Sequence, residues 1–216
     1  MDDNKNIFTG KVEFAKERRF GSNAWGSISV RIMQACKSFT FRNEQKFISQ
    51  PQIWMNIKTT YEGDALTAQD AAVLKSCQEG KYIFVTGAKI TDFEQAPKDA
   101  NGKPIENAPK EVRYSLECSP SGLAFASSPF PDINMSILEG YVTETDPNGQ
   151  IKVKIPYKAK TETKYRSVLV FHSNEFDPSL AKQRVFISGQ VFGKTPDPAK
   201  KDLIYVVASQ VITLRK

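Results

Sequence analysis

Along most of this chain apolar and polar positions alternate with a period of two, the pattern of strands that bury one face. Residues 6–14 begin it, with Ile7, Val12 and Phe14 apolar. Residues 25–34 show it most clearly. Gly26, Ile28, Val30, Ile32 and Gln34 fall on one side, and Trp25, Ser27, Ser29, Arg31 and Met33 on the other. Residues 53–59 continue it. The pattern then changes. Residues 66–75 are rich in helix formers, Leu66, Ala71, Val73, Leu74 and Cys77 can share one face, and Gly80 supplies a stop. A helix is therefore predicted at about 65–79. Strands resume over 82–90 and 112–118, separated by a polar, proline-bearing stretch with an Asn101-Gly102 turn signal. Residues 98–110 of that stretch read as an insertion. Residues 119–134 hold four serines, three prolines and one glycine, a linker composition. Further strands are predicted over 136–144, 150–157, 164–172, 184–192 and 203–214, with one or two helical turns within 174–183.

The order repeats. Phe8-Thr9-Gly10-Lys11-Val12 is echoed by Leu138-Glu139-Gly140-Tyr141-Val142, and Tyr82-Ile83-Phe84-Val85-Thr86-Gly87 by Arg184-Val185-Phe186-Ile187-Ser188-Gly189. The motifs lie closer together in the second copy, as they would if that copy lacked the longer helix and its approach. Two ordered matches with matching surroundings indicate a duplication. They divide the chain into a first domain, 1–128, and a shorter second one, 129–216.

Composition narrows the classes. The chain has 216 residues, 40% hydrophobic and 25% charged, an ordinary composition for folded domains. Its longest uncharged apolar run, 203–214, is too short for a spanning helix, which needs about 20 residues. The start, Met-Asp-Asp-Asn-Lys-Asn, lacks the basic opening and apolar core of a leader, so a cytoplasmic protein is expected. Cys36, Cys77 and Cys118 form no close pair and read as buried or half-buried thiols. The single histidine, His172, reads as a strand-end residue and leaves no room for a Ser-His-Asp triad. No phosphate-binding loop, zinc-protease helix or nucleophile elbow occurs. The expectation is a protein that is not an enzyme, with no cofactor and no metal.

Three strands, a helix and two more strands is the order of the OB-fold, a five-stranded partly open barrel. Gly10 and Gly140 sit where its first strand must bend, and Gly87 and Gly189 fall late in its fourth. On these residues the chain resembles two OB-folds in tandem, similar to single-stranded DNA-binding proteins. The resemblance implies a mainly β protein of two five-stranded barrels, with a helix between the third and fourth strands of the first copy. It implies sequence-independent binding of single-stranded DNA in replication, recombination or repair. Single-stranded DNA is the expected partner, alongside other replication proteins or further copies of the chain, and no membrane. Bacterial members end in an acidic tail. Leu214-Arg215-Lys216 departs from that and suggests a minimal binder of phage or plasmid type.

Charge supports the same face. The net charge is +6, and the bases are concentrated. Residues 8–58 carry nine Lys and Arg against three acids, and residues 151–171 six against one. In each copy these are the early strands and their loops, which carry nucleic acid in OB-folds. Aromatics accompany them. Trp25 shares its side with Ser27, Ser29 and Arg31, and Trp54 with Asn56 and Lys58, so both tryptophans are expected to face outward. Phe39 and Phe41 alternate with Thr40 and Arg42, and either side is open to them. Lys16, Arg18 and Arg19 are expected in a glycine-bearing loop that grips a backbone. In the second copy Lys152, Lys154, Tyr157, Lys158, Lys164, Tyr165 and Arg166 complete the candidate nucleic-acid-binding residues. An OB-fold protein-assembly subunit and an RNA-binding protein are the alternatives.

Overall fold

The computed structural model describes residues 4–19, 21–41, 44–48, 51–97, 99, 103–147, 149–172, 178–193 and 204–214. Its strands are β1 (Asn4–Arg19), β2 (Trp25–Gln34), β3 (Ser38–Phe41), β4 (Glu44–Phe47), β5 (Gln52–Glu62), β6 (Ala65–Leu66), β7 (Tyr82–Gln95), β8 (Glu111–Cys118) and β9 (Leu123–Ala126). They continue with β10 (Asn134–Thr145), β11 (Gln150–Ala159), β12 (Glu162–His172), β13 (Arg184–Phe192) and β14 (Tyr205–Thr213). The helix, α1, spans Ala68–Ser76.

Hydrogen bonding closes these strands into two rings. In the first, β1 pairs with β2, β2 with β5, β5 in parallel with β8, β8 with β7, and β7 again with β1. In the second, β10 pairs with β11, β11 with β12, β12 in parallel with β14, β14 with β13, and β13 with β10. Each is a five-stranded barrel with the strand order of the OB-fold. The alternation of the sequence explains the cores. Ile28, Val30, Ile32, Ile53, Met55 and Ile57 are fully buried in the first, and Val153, Val168, Val185, Ile187 and Val206 in the second.

A five-stranded barrel must curl its first strand tightly, and both copies do so in one way. A Cβ on Gly10 would run into the Met33 carbonyl, and one on Gly140 into the Lys154 carbonyl. Two residues further on, a register shift falls between Val12 and Phe14, and another between Val142 and Glu144. Such bulges add bend and twist where closure needs them.

α1 is shorter than the predicted 65–79. Ala65 and Leu66 are drawn into β6, paired with Glu62 and Tyr61. Thr67 then caps the helix, its hydroxyl accepting from the Asp70 amide. The Asp70 carboxylate is buried, and accepts from the Thr60 amide at 2.8 Å and the Thr67 hydroxyl at 2.9 Å. Val73 and Leu74 pack on the first core, as the sequence indicates.

The barrels are fastened together. Asn4–Phe8 of β1 pairs antiparallel with Asn134–Leu138 of β10, centred on Asn6 opposite Ser136. The stretch read as a linker is pinned: Thr9 Oγ1 donates to the Pro131 carbonyl at 3.0 Å and accepts from the Ile133 amide at 3.0 Å. Phe130 lies 5.8 Å from Phe84, ring to ring. No helix among the described residues is long and apolar enough to cross a membrane.

Candidate nucleic-acid interface

The outward face of β1, β2 and β5 carries the first candidate set, and register sorts it into rows. Phe14 and Trp54 flank Arg31, Lys16 and Asn56 flank Ser29, and Arg18 and Lys58 flank Ser27. Trp25 stands at the start of β2, opposite Thr60. Both tryptophans face outward, Trp25 57% and Trp54 36% exposed. Each row has a small or cationic residue in the middle strand and larger groups on either side. Ser27 and Ser29 are thereby buried, and Ser27 with Gly26 floors a groove of about 410 Å³ walled by Trp25, Asn56, Lys58 and Glu117. Ser29 donates to Asn56 Oδ1 at 2.8 Å and holds that amide in place.

The first row is one contact unit. The guanidinium of Arg31 lies 5.8 Å from the Trp54 ring centre, and Phe14 meets Trp54 edge-on at 6.2 Å. The bulge in β1 places Glu13 there too, with Oε2 3.2 Å from Arg31 Nε. Lys58 is similarly held by Glu117 Oε2 at 2.9 Å. The alternation groups Phe14 with Val12 as an apolar position and gives Glu13 and Glu117 no role in the site. A bulge shifts the alternation by one residue, so the period-two pattern misassigns the side chains beyond it.

The expected basic loop at 16–22 is instead mostly strand. β1 and β2 stay paired as far as Arg19 opposite Gly26, in an arm that extends the barrel. Lys16 and Arg18 point from it with the groove's rows. Arg19 serves the arm itself. It donates to the Gly63 carbonyl at 2.8 Å, pairs with Asp64 at 2.9 Å, and covers the Tyr61 ring at 4.7 Å. Tyr61 donates to Glu17 Oε1 at 2.5 Å. Burial, with that carboxylate beside it, pushes its phenol up to about 12.

Phe39 is not a platform. It is 8% exposed and packs 5.0 Å from Phe192 in a cluster with Ile48, Tyr205 and Val207. Phe41 is half-buried, edge-on to Phe171 at 6.4 Å. The β3–β4 hairpin leans on the second barrel, and its aromatics serve that contact. Arg42 lies outside the described residues.

The second set divides. Lys152, Lys154, Lys158 and Tyr165 lie on the outer face of the β11–β12 ribbon, and Tyr157, Lys164 and Arg166 on the reverse. There Arg166 covers the Tyr157 ring at 4.0 Å. The two barrels match only in part. Lys152 follows its bulge as Arg31 follows the first, and is paired with Glu144 at 3.1 Å. Opposite it stands Leu169 where the first barrel has Trp54. Lys16 and Arg18 extend a β1–β2 arm, whereas Lys158 and Lys164 extend a β11–β12 arm, so the two basic stretches are not equivalent elements.

No protein-family model and no curated protein matches the chain. Solved structures do. A deletion variant of the single-stranded DNA binding protein from Thermus aquaticus aligns over 100% of this chain and 97% of its own, with a TM-score of 0.60 and 11% identity. The wild-type protein from Thermus aquaticus aligns over 99% and 93%, with a TM-score of 0.56 and 12% identity. The likeness is one of fold, and it extends over both barrels.

Proposed function

We propose that this chain is a non-catalytic, largely sequence-independent binder of single-stranded DNA, serving DNA replication, recombination or repair inside the cell. It works as a tandem of two OB-fold domains, 1–128 and 129–216. The first-barrel face carries the reading: an outward Trp54 with Arg31 beside its ring and Phe14 edge-on to it, next to a serine-floored groove and a row of exposed cations. Stacking on an aromatic ring contributes roughly 1–3 kcal/mol per base and tolerates any base, because every base has a π-face. Cations on the same face take phosphates and make binding salt-sensitive. The fold shared with the Thermus aquaticus protein supports the same reading.

The test is tryptophan fluorescence during titration with an oligo-dT of about 30 nucleotides. The expected result is strong quenching that weakens as salt rises, with Trp54→Ala weakening binding roughly tenfold, within the range of one lost stack. Absence of quenching together with absence of a mobility shift would overturn the proposal and leave the fold as a protein-assembly module. Tighter binding to an RNA of equal length would move the assignment to RNA.

A further inference from the structure

The cations of the first-barrel face fall into two sets. Arg31 and Lys58 flank Trp54 and the groove, and each is held by a carboxylate of the chain itself, Glu13 at 3.2 Å and Glu117 at 2.9 Å. Lys16 and Arg18, on the neighbouring strand, have no acidic partner among the described residues. Glu17, between them in sequence, points to the other face and accepts from Tyr61.

The carboxylates are built in by the fold. Glu13 is the extra residue of the β1 bulge, which turns it onto the same face as Phe14 and Arg31. In the second barrel the carboxylate comes one position later: Glu144, in the register place of Phe14, meets Lys152 just past the equivalent bulge. Glu117 comes from β8, opposite Asn56 on β5 and Lys89 on β7, and forms part of the groove wall. A phosphate entering beside either cation would bring a second negative charge next to a carboxylate already paired with it. A neutral base meets no such opposition.

We propose that Glu13 and Glu117 are positioning residues that keep phosphates off the groove. The backbone of a bound single strand then tracks along Lys16 and Arg18, and its bases turn across Ser27 and Ser29 toward Trp54. This rests on the reading of the chain as a single-strand binder.

Salt dependence separates the two sets. A cation that takes up a phosphate of a single strand releases a condensed counterion and adds about 0.7 to the slope with which log K falls as log salt rises. A cation neutralised by its own carboxylate adds nothing. The experiment is the oligo-dT titration of the whole chain over a salt series. Lys16→Ala and Arg18→Ala should each lower the slope by about 0.7, and the double variant Lys58→Ala/Glu117→Gln, which removes both charges of the pair, should leave it in place. Glu117→Gln keeps the side chain's shape, frees Lys58, and should raise the slope by about 0.7. A slope unchanged in Glu117→Gln, or lowered by the double variant as much as by Lys16→Ala, would overturn the inference. If the wild-type chain binds and Trp54→Ala weakens it, such a result sinks the phosphate track alone. Absence of any wild-type binding sinks both. Cooperative thermal melting of each variant confirms that it is folded.

Discussion

Asn4 and Asn134 hold the same place in the two barrels, 130 residues apart, and make the same pair of bonds. Asn4 Nδ2 donates to the Ile90 carbonyl at 2.7 Å and its Oδ1 accepts from the Ile90 amide at 3.1 Å. Asn134 does this to Val191, at 2.9 Å and 2.8 Å. A side-chain amide has one donor and one acceptor arm, as a peptide unit has, so each asparagine stands in for a missing step of the ladder. The ladder between β1 and β7 ends at Asn6 opposite Ala88, and that between β10 and β13 at Ser136 opposite Gly189, while the other edges of β1 and β10 pair with each other. The asparagines satisfy the backbone groups of Ile90 and Val191, just beyond the end of each ladder. Two unrelated barrels would have no reason to share the device, and it supports the duplication read from the repeated motifs.

Removing either asparagine should therefore destabilise the fold through unmet backbone groups. Asn4 is fully buried, and Asn4→Ala leaves an N–H and a C=O without partners at about 1–3 kcal/mol each. The expected total is about 3 kcal/mol, and about 2 kcal/mol for the less buried Asn134→Ala. Urea unfolding checks this: the midpoint should fall with the slope unchanged. A loss under about 0.5 kcal/mol for Asn4→Ala would show that the ladder closes without it.

Phe39 separates a structural aromatic from a binding one. It is buried against Phe192, and truncation to alanine empties part of the contact between hairpin and second barrel. Phe39→Ala should cost about 3 kcal/mol of stability. Below its melting temperature it should still show the oligo-dT quenching that Trp54→Ala weakens. Quenching lost in a folded Phe39→Ala would place the hairpin in the binding face after all.

These residues also show where the sequence could be read and where it could not. Residues 184–192 were predicted as a strand and are β13, because a strand with one face buried between neighbours must alternate. Trp54 and Arg31 face outward for the same reason. Lys16 to Arg19 were read as a loop because their arm projects beyond the core. With no buried face, nothing selects a period. Phe39 alternates with polar neighbours as well as Trp25 does. Its direction is set by Phe192 and Tyr205, far along the chain, and no local pattern records that contact. Glu13 needed the bulge, and Leu66 needed the pairing that draws it out of the helix.

Alkaline pH should expose the buried phenols and thiols. Burial, reinforced by the Glu17 carboxylate, pushes Tyr61 up to about 12 from 10.0. Burial does the same to Tyr114, with Asp92 and Glu144 contributing. Cys77 is pushed up to about 12 and Cys118 to about 11 from 9.0, mainly by burial. Below pH 9 these groups are protonated in both states and contribute no slope. Above it the unfolded chain gives up protons that the folded chain keeps. The unfolded state then binds fewer protons, and stability falls with rising pH. The thiols act from about pH 9 and the phenols from 10, each until its folded value is passed. Thermal unfolding at constant ionic strength should show a melting temperature that declines from pH 9 to 12. Tyr61→Phe should cost about 1 kcal/mol at pH 7, for the lost bond to Glu17, and should flatten the decline between pH 10 and 12. An alkaline decline of equal depth in Tyr61→Phe would show that this phenol is free to ionise in the folded barrel, and that the base of the β1–β2 arm opens to solvent.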